Sequence, residues 1–229
     1  MKKKQAMEKK QTKRNMLRAQ AVLAVICGIC FGLVSGCGTK EEPDKEVQTQ
    51  QEESSAKDTQ QVRADYYAEI SIQDYGTITV ALDKSAAPKT VENFVSLAES
   101  GFYDGLTFHR IIEGFMMQGG DPEGTGMGGS DTTIVGEFSD NGYENPLSHT
   151  RGAISMARSM DYDSASSQFF IVHEDCPSLD GQYAVFGYVT EGIEVVDAVC
   201  EQAEPIDDNG TIPAEDQPVI TSIKILDAE

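Results

Sequence analysis

The chain has 229 residues, with 38 acidic against 18 basic side chains and a formal net charge of −20. That length holds one domain of ordinary size plus appendages. The acidity excludes partners recruited by positive charge, because such a surface repels nucleic acid and anionic lipid headgroups.

The basic residues are unevenly placed. Lys2, Lys3, Lys4, Lys9, Lys10, Lys13, Arg14 and Arg18 stand against the single Glu8, and an apolar run follows from Ala19 to Val34. A basic segment before a short apolar one is the layout of a secretory signal, and about 16 apolar residues fall short of the roughly 20 that a spanning helix needs. The run ends in Val34-Ser35-Gly36-Cys37, which resembles a bacterial lipoprotein box. Residues 1–36 are therefore expected to be removed and Cys37 to carry lipid, placing the protein on the extracytoplasmic side of the cell membrane. With headgroups repelled, attachment would rest on the acyl chains. Cys27-Gly28-Ile29-Cys30 has the C-x-x-C spacing of a redox pair, but it lies inside the apolar run and would leave with it. After Cys37 only Cys176 and Cys200 remain, too few for a disulfide framework.

Residues 37–64 are Glu, Lys, Gln, Asp, Ser and Thr with almost no apolar residue. They cannot bury enough surface to offset ordering entropy, so a disordered acidic and polar tether is expected. Residues 65–229 form the head. AEISIQDYGTITVALD (68–83) alternates apolar and polar residues around Tyr75-Gly76, which predicts a β-hairpin. Pro88 then opens a segment in which Val91, Phe94, Val95 and Ala98 fall at helical spacing until Gly101 stops it. Short β-like runs follow: LTFHRII, FMMQG, AISMA, SQFFIV and YAVFGYV. A second helix is predicted from Ile193 to Cys200, and PVITSIKIL (218–226) alternates as a closing strand. Many short strands with two isolated helices point to a mainly β barrel or sandwich with helices at its ends.

GTGMGG (124–129) matches the dinucleotide pattern G-x-G-x-x-G. That pattern needs a helix opening on the glycines, whereas SDTTIVGEF follows here, so nucleotide binding is rejected.

FHRIIEGFMMQGGDPEGTGMGG (108–129), ISMARS (154–159), SSQFF (166–170) and LDGQYAVFGYV (179–189) together resemble the cyclophilin-type peptidyl-prolyl isomerases over essentially the whole head. The resemblance implies a closed eight-stranded antiparallel β-barrel capped by two α-helices, and an enzyme that accelerates rotation of X-Pro bonds. It implies that Arg110 is the catalytic arginine, that Gln118 orients it, and that Phe115, Met116, Phe170 and Leu179 hold the proline ring. Gln168 would lie in the groove, Ala157 and Arg158 would meet the extended peptide through their backbone, and Gly126 would line the adjacent pocket. Tyr183 stands where familiar members have a histidine. Ser178 stands where they have a tryptophan that helps bind cyclosporin, so weak inhibition is expected.

The chemistry is consistent with those residue types. An X-Pro amide rotates over a barrier of ~18–20 kcal/mol, and a fixed donor aimed at the proline nitrogen favours the twisted state, in which that nitrogen regains a lone pair. No proton transfer is needed, so His109 is read as a structural histidine with a fixed partner. His149 and His173 have no neighbouring Cys or His at ligand spacing, and neither a metal nor any other cofactor is expected. The expected partners are proline-containing polypeptides, in particular unfolded exported proteins, and the membrane through the lipid anchor; a monomer is expected. A competing reading is a peptide-binding or chaperone module that uses the same groove without turnover. The acidic segment 201–217 receives no role.

Overall fold

The computed structural model describes residues 63–228. The proposed signal, Cys37 and nearly all of the tether lie outside the described residues.

β1 (Tyr66–Ile72) and β2 (Gly76–Leu82) form the expected hairpin, paired from Tyr66↔Leu82 to Ile72↔Gly76. Alternation sends Ala68, Ile70, Ile72, Ile78, Val80 and Leu82 to one buried face. The tight connection is met by positive φ at Asp74 (65°) and Gly76 (133°), residue types that tolerate it. Helix α1 (Pro88–Glu99) begins with proline in its first turn and buries Thr90, Val91, Phe94, Val95 and Ala98. Ala87 offers no cap. Instead the buried carboxylate of Glu137 accepts the Lys89 amide at 3.0 Å and the Thr90 amide and hydroxyl at 2.8 Å each, supplying both the acceptors and the negative charge that a helix N-terminus favours.

β3 (Thr107–Ile112), β4 (Met116–Asp121), β5 (Ala153–Met156), β6 (Phe169–Val172) and β7 (Val185–Glu191) follow, then helix α2 (Ile193–Gln202) and β8 (Ile220–Asp227). The second helix thus runs two residues past the predicted Cys200. Residues 130–138 form no helix. Arg151 grips Asp197 of α2 through Nη2 at 2.7 and 2.8 Å, and His173 meets the same carboxylate at 3.1 Å, which ties the helix to the sheet. Cys176 and Cys200 are not bridged.

All eight strands join one antiparallel sheet in the order β3-β4-β6-β5-β7-β2-β1-β8. The expected closed barrel is corrected: the sheet has two ends, β3 and β8, and no strand ladder joins them. A seam replaces it, made by the single bridge Thr107↔Val219 and the backbone bonds Gly105 N–H to Ile220 O, Ile220 N–H to Leu106 O and Phe108 N–H to Pro218 O. Pro218 has no amide to donate, and β3 is kinked by a bulge at Phe108–Arg110, so a regular ladder cannot form there.

The sheet is apolar on both faces. Its inner face packs with both helices around Phe94, Phe108, Met117, Phe169, Phe186 and Val196. The outer face of β4, β5, β6 and β7 carries a smaller cluster of Met116, Ala153, Phe170, Val172, Val185 and Tyr188, flanked by half-buried Phe115, Ala157, Leu179 and Tyr183.

Candidate active site

The bulge in β3 decides what Arg110 faces. The pairing steps from Phe108↔Gly119 to Arg110↔Gln118, leaving His109 as the extra residue. Phe108 and Ile111 can then both be fully buried while Arg110 points to the outer face. Gln118 pairs in turn with Phe170, and Phe170 with Ser155. Arginine, glutamine and phenylalanine therefore form a row across three strands.

Each nitrogen of the Arg110 guanidinium has a different fate. Nε donates to the Asn209 carbonyl at 2.7 Å. Nη1 donates to Gln118 Oε1 at 3.4 Å and lies 3.6 Å from Met116 Sδ. Nη2 makes no hydrogen bond among the described residues. The plane lies 5.8 Å from the Phe115 ring centre. Burial pulls the Arg110 pKa below its ordinary value while Tyr183 and Asp207 push it up; a guanidinium stays charged regardless. Gln118 Nε2 donates to Gln168 Oε1 at 2.8 Å, and Gln168 Nε2 donates to the Gly128 and Gly126 carbonyls at 2.7 and 3.2 Å. This relay fixes which end of each amide faces the arginine.

Beside it, Phe115, Met116, Ala157, Phe170, Leu179 and Tyr183 form an apolar hollow in a groove of about 370 Å³. Phe170 and Tyr183 meet edge to face at 5.9 Å. The His149 ring stacks against Phe170 at 5.9 Å with an interplanar angle of 12°. It is itself held by Asp180 Oδ1 at Nδ1 (2.8 Å) and by Ser155 Oγ at Nε2 (3.0 Å). Burial depresses the His149 pKa despite Asp180, which favours the neutral ring. The Arg158 side chain is fully engaged: it donates to the carbonyls of Gln182 and Ser159 and lies 4.7 Å from the ring centres of both Tyr162 and Tyr183 and 5.1 Å from that of Phe138. It braces Tyr183, and its side chain is already spent on contacts within the protein.

The glycine loop is organised by Asp121, which is 1% exposed and accepts the amides of Glu123, Thr125 and Gly126 at 2.8, 3.0 and 2.5 Å. Burial favours its neutral form, but the backbone donors of Glu123, Gly126, Gly128 and Thr125 outweigh that and hold its pKa low. Gly126 has φ +86°, and a Cβ at Gly128 would overlap the Asp121 carboxylate. The amides a phosphate would need are occupied by an internal anion that would repel it, which removes the physical basis of the nucleotide pattern.

His109 lies beneath this loop: a Cβ on Gly126 would stand 3.4 Å from its Nε2. The expectation of a fixed partner is corrected, because neither ring nitrogen has a hydrogen-bond partner among the described residues. The bulge turns the ring under the loop, into the groove wall, where no donor or acceptor of the described residues reaches it.

Ten of the eleven expected site residues line this groove; Gln168 sits behind it as the link to the loop. Sequence reasoning missed Asn209 and Thr211, which also line it, and the support given by His149. Asn209 is 99 positions from Arg110 and acts through its carbonyl, so no side-chain signal could have marked it.

The family model described as "Cyclophilin type peptidyl-prolyl cis-trans isomerase/CLD" matches residues 67–229. Peptidyl-prolyl cis-trans isomerase B of Bacillus subtilis is 52% identical over 123 residues, 54% of this chain and 82% of that protein. The isomerase of Helicobacter pylori strain J99 is 48% identical over 126 residues, 54% of this chain and 75% of that protein. A crystal structure of a Cryptosporidium parvum cyclophilin-type isomerase, determined in the presence of the dipeptide Ala-Pro, superposes with a TM-score of 0.61 at 32% identity, covering 71% of this chain and 99% of that one. The chain belongs to the cyclophilin-type peptidyl-prolyl cis-trans isomerases and is an enzyme of that class.

Proposed function

We propose that the enzyme rotates X-Pro bonds in exported proteins by holding the proline ring in the hollow of Phe115, Met116, Phe170, Leu179 and Tyr183 while Arg110 favours the twisted amide. The observation that carries this reading is the unequal use of the guanidinium, with Nε and Nη1 tied to the protein and Nη2 left as a charged donor beside an apolar pocket. As the amide twists, its nitrogen loses conjugation and becomes an acceptor, so a preplaced donor stabilises that state more than the planar one. Gln118 keeps the donor aligned, and the backbone of Ala157 and Arg158 receives the extended peptide. The chain further reads as a lipoprotein: residues 1–36 are the signal, Cys37 the lipidated residue, residues 37–64 a tether and residues 65–229 the isomerase domain, held on the extracytoplasmic side of the membrane.

Cis-to-trans relaxation of a proline-containing tetrapeptide tests the role of Arg110. Arg110→Ala is expected to lower kcat by about 10²- to 10³-fold, the usual cost of removing one preorganised donor. Unchanged turnover in that variant would refute the mechanism.

A further inference from the structure

We infer that the turn 207–211, inside the acidic segment without an assigned role, is the positioning element for Arg110, and that Asp207 is the residue that sets it. The inference rests on Arg110 acting on the substrate as proposed above.

The three guanidinium contacts are unequal. At 2.7 Å the bond from Nε to the Asn209 carbonyl is a strong one, whereas the Gln118 and Met116 contacts of Nη1, at 3.4 and 3.6 Å, are long. A planar group held only at Nη1 can still rock; a second anchor at Nε fixes the plane and with it the direction of Nη2. The Asn209 carbonyl therefore aims the donor.

What aims the carbonyl is a short clamp lying along the edge of β3. The Ile111 amide donates to Gly210 O at 2.8 Å and the Ile212 amide to His109 O at 2.9 Å, on either side of the bridge Arg110↔Thr211. The turn is closed at its base by the Ile206 amide, which donates to the Thr211 carbonyl at 2.9 Å, and across its interior by Asp207. Its Oδ1 accepts the Thr211 amide at 2.9 Å, and its carbonyl accepts the Gly210 amide at 3.1 Å. Gly210 has φ +84°, and a Cβ there would come within 2.8 Å of the Ile111 carbonyl, so the turn is seated against the strand without slack. The amide and hydroxyl of Thr211 hold the Asp207 carboxyl below its ordinary pKa, and its negative charge raises the Arg110 pKa against the effect of burial.

The test combines turnover with a direct view of the arginine. In the wild-type enzyme the Arg110 Nε–H should give a protected resonance in a 15N-resolved spectrum, assigned by its loss in Arg110→Lys. Asp207→Ala is expected to expose that resonance to exchange and to lower kcat about tenfold, with KM for the peptide held within about twofold. Asp207→Asn, whose side-chain carbonyl can still accept the Thr211 amide, should recover most of the rate; Asp207→Ser should fall between the two. Glu215→Ala, at an exposed acidic residue of the same segment outside the turn, should change neither quantity. Wild-type kcat in Asp207→Ala would overturn the inference, as would parallel changes in kcat, KM and Tm, the pattern of general loosening. If Arg110→Ala is inactive while Asp207→Ala is not, only this inference falls. If Arg110→Ala keeps full turnover, the proposed mechanism falls with it.

Discussion

A guanidinium on a strand ordinarily sweeps a wide arc, and the groove depends on that freedom being removed. The residues doing so are of two kinds. Gln118 is eight positions from Arg110 and sits opposite it on the neighbouring strand, so its place is visible in the motif. Asn209 is visible only once the chain has folded. The imidazoles add a pH dependence of stability. Burial is the largest influence on both His109 and His149 and holds each below the ordinary value of 6.5. The unfolded chain therefore takes up protons first as pH falls. Stability is complete above about pH 6.5 and is lost as pH drops toward and through the lower folded-state values. Calorimetry between about pH 7 and about pH 5 should show Tm falling, and His109→Leu should flatten part of that fall. At neutral pH the same variant is expected to keep or raise Tm, because it replaces a buried polar ring without partners. A steeper fall in His109→Leu would contradict this account.

At the scale of elements, periodicity was a sound guide wherever one face is buried and regular. The hairpin, α1 and α2 all follow from it. It marked β3 as a strand but was silent on which side chains face inward, because the bulge places Phe108 and Ile111, three residues apart, in the same core; an odd spacing in a strand has no meaning until the partner strand is known. It was equally silent on how α1 begins, since the cap is a glutamate 47 and 48 positions away. Glu137→Gln keeps the shape but removes the charge and one of the two acceptor oxygens. It is expected to cost about 1.5–3 kcal/mol of stability, the range for hydrogen bonds to a charged group, measured by denaturant unfolding with α1 probed by hydrogen exchange. An unchanged midpoint would show that the cap carries no weight.

For the whole molecule, the decisive feature is a sheet that is apolar on both sides. One face needs the two helices to cover it; the other is covered only in part, and the part left open is the groove. The proposed lipid anchor belongs to this scale too, since it would set where the groove works. Mass spectrometry of the mature protein from a bacterial host should find an acylated N-terminus at Cys37. A chain still beginning at Met1 would refute the lipoprotein proposal.

Read alone, the sequence determined the family, the two helices, most strands and ten of the groove's lining residues, because those signals are local: a repeat of apolar side chains, or a motif in which Arg110, Phe115 and Gln118 lie within nine consecutive positions. Only the tertiary structure decided the seam between β3 and β8, the carboxylate that caps α1, the internal anion that fills the glycine loop and the carbonyl that aims Arg110. Each of these is a bond to a backbone group, and all but the contacts of Asp121, which span two to five positions, come from a distant segment. Backbone groups are present at every residue, so nothing in the sequence distinguishes those that will be needed until folding brings their partners within hydrogen-bond reach.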